Sequence, residues 1–143
     1  MNFEQILKDK GTSVLTVDAD DTLQTAASFL DDKKIGAVIA REASGKIVGV
    51  LSERDIVRQV ARQGASALSM TVSEAMTRDL VVGRLHDTIE SGLGLMTDRR
   101  IRHLPIMDGD ELIGIISIGD LVKWKIAETE AEAEAMKSYI ASG

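Results

Sequence analysis

Residues 21–40, DTLQTAASFLDDKKIGAVIA, and residues 87–106, DTIESGLGLMTDRRIRHLPI, are two versions of one segment, with Asp21 answering to Asp87 at an offset of 66. Further on, KIVGVLSERDIVR (46–58) answers to ELIGIISIGDLVK (111–123); there Ser52 meets Ser117 and the offset has fallen to 65. One loop residue has thus been lost between the matched blocks. A repeat of this length means that one supersecondary unit is used twice and packs against its copy.

Within each copy the hydrophobic period changes twice. Leu15 and Val17, and then Leu80 to Val82, are short apolar runs that can open a strand. Asp21 with Gln24, and Asp87 with Glu90, read as helix caps with capping-box partners, followed by apolar residues at helical spacing. Ala37–Ala40 and Ile47–Leu51 read as strands around the turn EASGK, and His103–Met107 with Leu112–Ile116 repeat this around DGDE. A closing helix begins near Ser52 and near Ser117. The expected fold is mixed α/β: two tandem βαββα units packed with pseudo-two-fold symmetry.

Three segments lie outside the repeat. Phe3, Ile6 and Leu7 have the spacing of a short amphipathic helix, with a counterpart at Ser73–Met76; ARQGASALSMT connects the units. After Asp120 the helix continues through WKIAETEAEAEAMKSYIA, made of strong helix formers, as a partner face or a solvated tail. The expected division is 1–68 for the amino-terminal helix and first unit, 69–127 for the second, and 128–143 for a helical extension.

Bulk chemistry narrows the function. With 23 acidic against 17 basic residues the formal charge is −6, so a hold on nucleic-acid phosphates would work against the average field. The aromatic residues, Phe3, Phe29, Trp124 and Tyr139, are too few and scattered to make a base-stacking platform. The absence of Cys excludes disulfides, thiolate metal sites and a Cys nucleophile. No run of about 18 apolar residues marks a membrane span, and the charged amino terminus does not read as a signal peptide. The expectation is a cytoplasmic protein with no nucleic-acid or membrane partner.

Catalytic signatures come close and miss. GLGLMT from Gly92 fails the G-x-G-x-x-G pattern at Thr97, and GIISIG from Gly114 lacks the Gly of a nucleophile elbow. With two His and no H-E-x-x-H, a zinc hydrolase is unsupported. Neither a catalytic residue nor a metal site is assigned.

The D-x-T segments at Asp21 and Asp87, RIRHLPIMD, and above all GVLSERDIV and GIISIGDLV resemble the cystathionine-β-synthase (CBS) domain family, and the tandem arrangement resembles its Bateman module. The resemblance spans Val14 to about Ile126. It implies a pseudo-symmetric disc with two clefts for adenosyl ligands such as AMP, ADP, ATP, S-adenosylmethionine or NAD(H). It also implies homodimerisation and control of a partner protein whose identity the residues do not give.

For Ser52-Glu53-Arg54-Asp55 and Ser117-Ile118-Gly119-Asp120 two accounts are open. Ser can cap the helix with Asp near the third helical position. A carboxylate can equally accept from both ribose hydroxyls, which with the resemblance assigns Asp55 and Asp120 to ribose and Ser52 and Ser117 to phosphate or ribose. Arg102 and His103, leading into Leu104-Pro105, fall where the resemblance implies basic side chains against phosphate; guanidinium suits this by its fork. Arg54 is a further phosphate candidate. Gly36 and Ala37 stand opposite Arg102 and His103, so the two copies are expected to bind unequally. The leading expectation is a stand-alone sensor module rather than an enzyme, with a scaffold of empty clefts or an adenylate-using enzyme as the alternatives.

Overall fold

The computed structural model describes residues 1–142. Along the chain run α1 (Phe3–Lys10), β1 (Thr16–Asp18), α2 (Leu23–Lys33), β2 (Ala37–Arg41), β3 (Ile47–Ser52) and α3 (Glu53–Gln63). A 3-10 helix (Gly64–Ser69) leads to α4 (Val72–Ala75), α5 (Ile89–Arg99), β4 (His103–Asp108), β5 (Glu111–Ser117) and α6 (Ile118–Ser142). The mixed α/β character expected from the repeat is present.

The first compact unit is Val14–Val81. Its sheet has the order β1-β2-β3, with β1 parallel to β2 (Val17 opposite Ala40) and β2 antiparallel to β3 (Ile39 opposite Val50). The apolar positions of α2, Leu23, Ala26 and Leu30, recur at helical spacing and are buried with Val38, Ala40 and Leu51 of the sheet. Val72, Ala75 and Met76 close the same core. Met76 is seated over Gly49, where an added Cβ would lie 2.6 Å from its sulfur and 2.8 Å from the Thr77 carbonyl oxygen.

The second compact unit is made of residues 1–13 and the described residues from Val82 onward. The expected boundary near residue 68 therefore assigns two segments to the wrong neighbours: α1 belongs to the second unit, and residues 69–81 to the first. The cause is packing. Asn2 caps α1 in a capping box with Gln5, and Phe3, Ile6 and Leu7 are buried to 2% exposure or less. Phe3 N donates to the Asp87 carbonyl (2.9 Å) and Glu4 N to that of Leu85 (3.0 Å). The Phe3 ring lies against Gly83 and Gly92, and Leu7 against Gly114, each so closely that a Cβ would come within 2.7–2.8 Å. Gly92, in the stretch that misses the G-x-G-x-x-G pattern, makes room for this ring.

Two local expectations are corrected. The caps of α2 and α5 are Thr22 and Thr88, which accept from Thr25 N and Ser91 N; Asp21 and Asp87 instead accept from Asp18 N (3.2 Å) and Arg84 N (2.9 Å), closing the turns before the helices. The strand expected at Leu80–Val82 is absent. Only Gly83 pairs, donating to the Pro105 carbonyl and accepting from Met107 N, so the second sheet has the two strands β4 and β5.

Candidate functional site

In both units the chain passes from a strand directly into a helix through a Ser-x-x-Asp joint. In the first unit Ser52 ends β3 and caps α3: its hydroxyl accepts from Asp55 N (3.3 Å), and its own N–H donates to Asp55 Oδ2 (2.9 Å). The Asp55 side chain is 6% exposed, and its other oxygen, Oδ1, accepts from Arg58 (3.1 Å). Arg54, one residue earlier, is exposed.

The second unit repeats this joint with different company. Ser117 N donates to Asp120 Oδ2 (2.8 Å) and Asp120 N to Ser117 Oγ (3.1 Å). The cation on Asp120 comes from outside the repeat: Lys10, the last residue of α1, donates to Asp120 Oδ2 (2.6 Å) and to the Ile115 carbonyl (2.7 Å). Burial pushes the Asp120 carboxyl up, but the Lys10 hydrogen bond and charge, with the Ser117 amide and hydroxyl, outweigh this and hold it below the ordinary aspartate range. The bonds to Ser117 and Lys10 converge on Oδ2, whereas in Asp55 both oxygens are engaged.

The strand before each joint completes it. In register, Ala37 stands opposite Ser52, and His103 opposite Ser117. The Gly36 carbonyl accepts from Glu53 N (2.9 Å), and the Arg102 carbonyl from Ile118 N (2.8 Å). The carbonyl and the Ser hydroxyl thus satisfy two of the amides that a helix start leaves unpaired. Ser117, Asp120, His103 and Arg102 are gathered at one place in the second unit, His103 half-buried and Arg102 exposed. The first unit brings together Ser52, Asp55 and Arg54, with Gly36 and Ala37 where the basic pair would stand.

With the joints in view, the family model for the CBS domain matches the chain twice, over residues 10–62 and 72–127. The chain belongs to the CBS domain family. It is 38% identical over 110 residues to the CBS domain-containing protein YhcV of Bacillus subtilis, covering 77% of each. It is similar to the crystal structure of the CBS-domain containing protein ATU1752 from Agrobacterium tumefaciens, with a TM-score of 0.84 and 42% identity over 85% of this chain and 91% of that one. At 23% identity the same fold is found in the CBS domain protein PAE2072 from Pyrobaculum aerophilum, complexed with AMP, with a TM-score of 0.74 over 84% of this chain and 89% of that one. At 20% identity it is found in the CBS domain pair of MJ0100, in complex with 5-methylthioadenosine and S-adenosyl-L-methionine, with a TM-score of 0.78 over 90% of this chain and 98% of that one.

Sequence reasoning missed the cations of both CBS joints. Arg58 lies three residues after Asp55, a spacing that places both on one helix face and could have been read. Lys10 carried no such signal, since its approach to Asp120 depends on α1 docking in the second unit. Open depressions of the first CBS unit include one lined by Asp18, Asp21, Asp31 and Asp32 and one lined by Leu30, Lys34, Gly36, Glu53 and Val57 among others. Neither is lined by Ser52 or Asp55.

Proposed function

We propose that the chain is a regulatory sensor that binds an adenosine-containing nucleotide at the Ser-x-x-Asp joints of its CBS units, most strongly in the second. The observation that carries this is the Asp120 carboxylate. It is held ionised and fixed through Oδ2 by Ser117 and Lys10, and Oδ1 is assigned to a ribose hydroxyl, with His103 opposite Ser117 in register and Arg102 just before it. Ser117 is assigned to ribose or phosphate, and Arg102 and His103 to phosphate. The ligands named for PAE2072 and MJ0100, which share the fold, support an adenosyl ligand.

In the first unit Ser52, Arg54 and Asp55 are assigned in the same way, but a ribose there must displace Arg58 from Asp55 Oδ1. The Arg58 side chain is 51% exposed but that of Asp55 only 6%, so the displacement costs more than parting a solvent-exposed pair and weakens the site. No catalytic step is assigned, because the joint holds its acid ionised and committed to orientation, with no partnered nucleophile. The readout is assigned to a cytoplasmic homodimer acting on a separate regulated protein: Val57 and Val60 on α3, and Val122 and Ile126 on α6, are 41–66% exposed. No described helix is long and apolar enough to cross a membrane.

Calorimetric titration of the ligand-free protein with AMP and 2′-deoxy-AMP tests the reading. Losing the 2′-hydroxyl should weaken binding by about 1–3 kcal/mol, the cost of leaving a buried acceptor unmet. Equal affinities would remove Asp55 and Asp120 from ribose recognition. Absence of binding by AMP, ADP, ATP and NADH alike would leave a scaffold.

A further inference from the structure

Lys10 is absent from every repeat-based assignment, yet it makes two short contacts at the second joint. Its helix is not a loose appendage: Phe3, Ile6 and Leu7 anchor α1 in the core, which fixes the lysine's starting point. The helix that plays the corresponding part in the first unit is α4, since Met76 sits on Gly49 as Leu7 sits on Gly114. That helix stops at Ala75, and the chain turns extended so that Thr77 pairs with Val50. The turn of α1 that carries Lys10 to Asp120 therefore has no counterpart in the first unit. Nor does the second unit use the first unit's solution. The residue three after Asp120 is Lys123, whose ammonium lies over the Trp124 ring at 6.0 Å from its centre, and Asp120 takes Lys10 instead.

We propose that Lys10 is a specificity-determining residue of the second unit, the counter-ion that lets a phosphorylated nucleotide bind beside the Asp120 carboxylate. The inference rests on the nucleotide-binding reading above and deepens it. A carboxylate suited to ribose hydroxyls repels the phosphate attached to the same sugar, and the repulsion grows with phosphate count. Lys10 cancels that charge at 2.6 Å. An ammonium has three donors, of which Asp120 Oδ2 and the Ile115 carbonyl take two. The third, on a side chain about one-third exposed (34%), remains for the ligand. Lys10 and Arg102 then add positive charge at this joint in places where the first unit has the shortened α4 and Gly36.

The test compares the full chain with its Lys10→Met and Lys10→Arg variants, titrated with adenosine, AMP and ATP at low salt. Calorimetry and the emission of Trp124, which lies in the second unit, report binding. Lys10→Met should weaken AMP by roughly five- to tenfold, as expected of one hydrated unit charge a few ångströms from a phosphate. It should weaken ATP more and adenosine less than about twofold, while Lys10→Arg stays near the parent. If the methionine variant melts lower, Lys10→Gln repeats the comparison. Equal weakening of adenosine and AMP would make Lys10 a structural prop and overturn the inference, as would unchanged AMP binding while the parent binds. A parent chain that binds none of the three ligands would instead remove the nucleotide reading itself, and this inference with it.

Discussion

Phe3 offers the sharpest test of the interleaved architecture, because a substitution near the amino terminus should unfold the unit at the other end of the repeat. Its side chain is fully buried, and its ring is flanked by Gly83 and Gly92, where a Cβ would fall 2.8 Å and 2.7 Å from ring atoms. Flanking glycines have no side chains to swing into a vacated space, so Phe3→Ala leaves a cavity that collapses poorly. The loss should lie toward the upper part of the usual range for such truncations, about 4 kcal/mol, with Phe3→Leu costing about 1–1.5 kcal/mol. Urea unfolding followed by Trp124 emission reads the second unit, since Trp124 is the only tryptophan. Gly92→Ala should be destabilising in the parent, where its new methyl meets the ring, and less so in Phe3→Leu, a coupling expected of residues in contact. A Phe3→Ala loss under about 1 kcal/mol, or additive effects at 3 and 92, would refute the docking of α1.

Three further outcomes follow from the geometry. Gly49→Ala should cost more than Gly114→Ala, by thermal melts, because the first meets the fixed Thr77 carbonyl as well as Met76, whereas the second meets the flexible Leu7 side chain, its terminal carbons closest; overpacking of this kind costs about 1–3 kcal/mol. Asp120 has its folded pKa depressed, so its contribution is complete above the unfolded aspartate value near 3.8 and is lost as pH falls through the lower folded value. The stability advantage of the parent over Asp120→Asn in urea melts should then hold steady from pH 7 to about 5, and shrink below about pH 4. If α3 and α6 seat a second copy, sedimentation at micromolar concentration should give twice the chain mass, and Val57→Lys should return it to one; a parent that sediments as a monomer removes the dimer.

The repeat makes the strand–helix joint legible in the sequence, since two copies of G-h-h-S-x-x-D fix where β3 and β5 must end. It could not say whether Ser and Asp serve the helix or a ligand, and the structure shows the cap fully formed in both units. Capping and binding use the same carboxylate, so local pattern does not separate them. The helix starts were displaced by one residue because Thr follows Asp in each D-T pair, and the Thr hydroxyl reaches the third helical amide while the Asp closes the preceding turn. The domain boundary failed for a different reason. Chain order was taken as spatial order, and nothing in the spacing of Phe3, Ile6 and Leu7 says which of two similar sheets they cover. Lys10 went unseen with them.

The interleaving also bears on how the protein is made. During synthesis α1 leaves the ribosome well before the strands it must cover, whereas Val14–Val81 can pack as soon as it emerges. Until β5 and α6 follow, Phe3, Ile6 and Leu7 have no native home, and their apolar face is open to wrong partners, including the sheet of the first unit. Gly49, already covered by Met76 once α4 is in place, is closed to such a mismatch. Once α4 has formed, the seat over Gly49 that matches α1's own seat over Gly114 is therefore already filled.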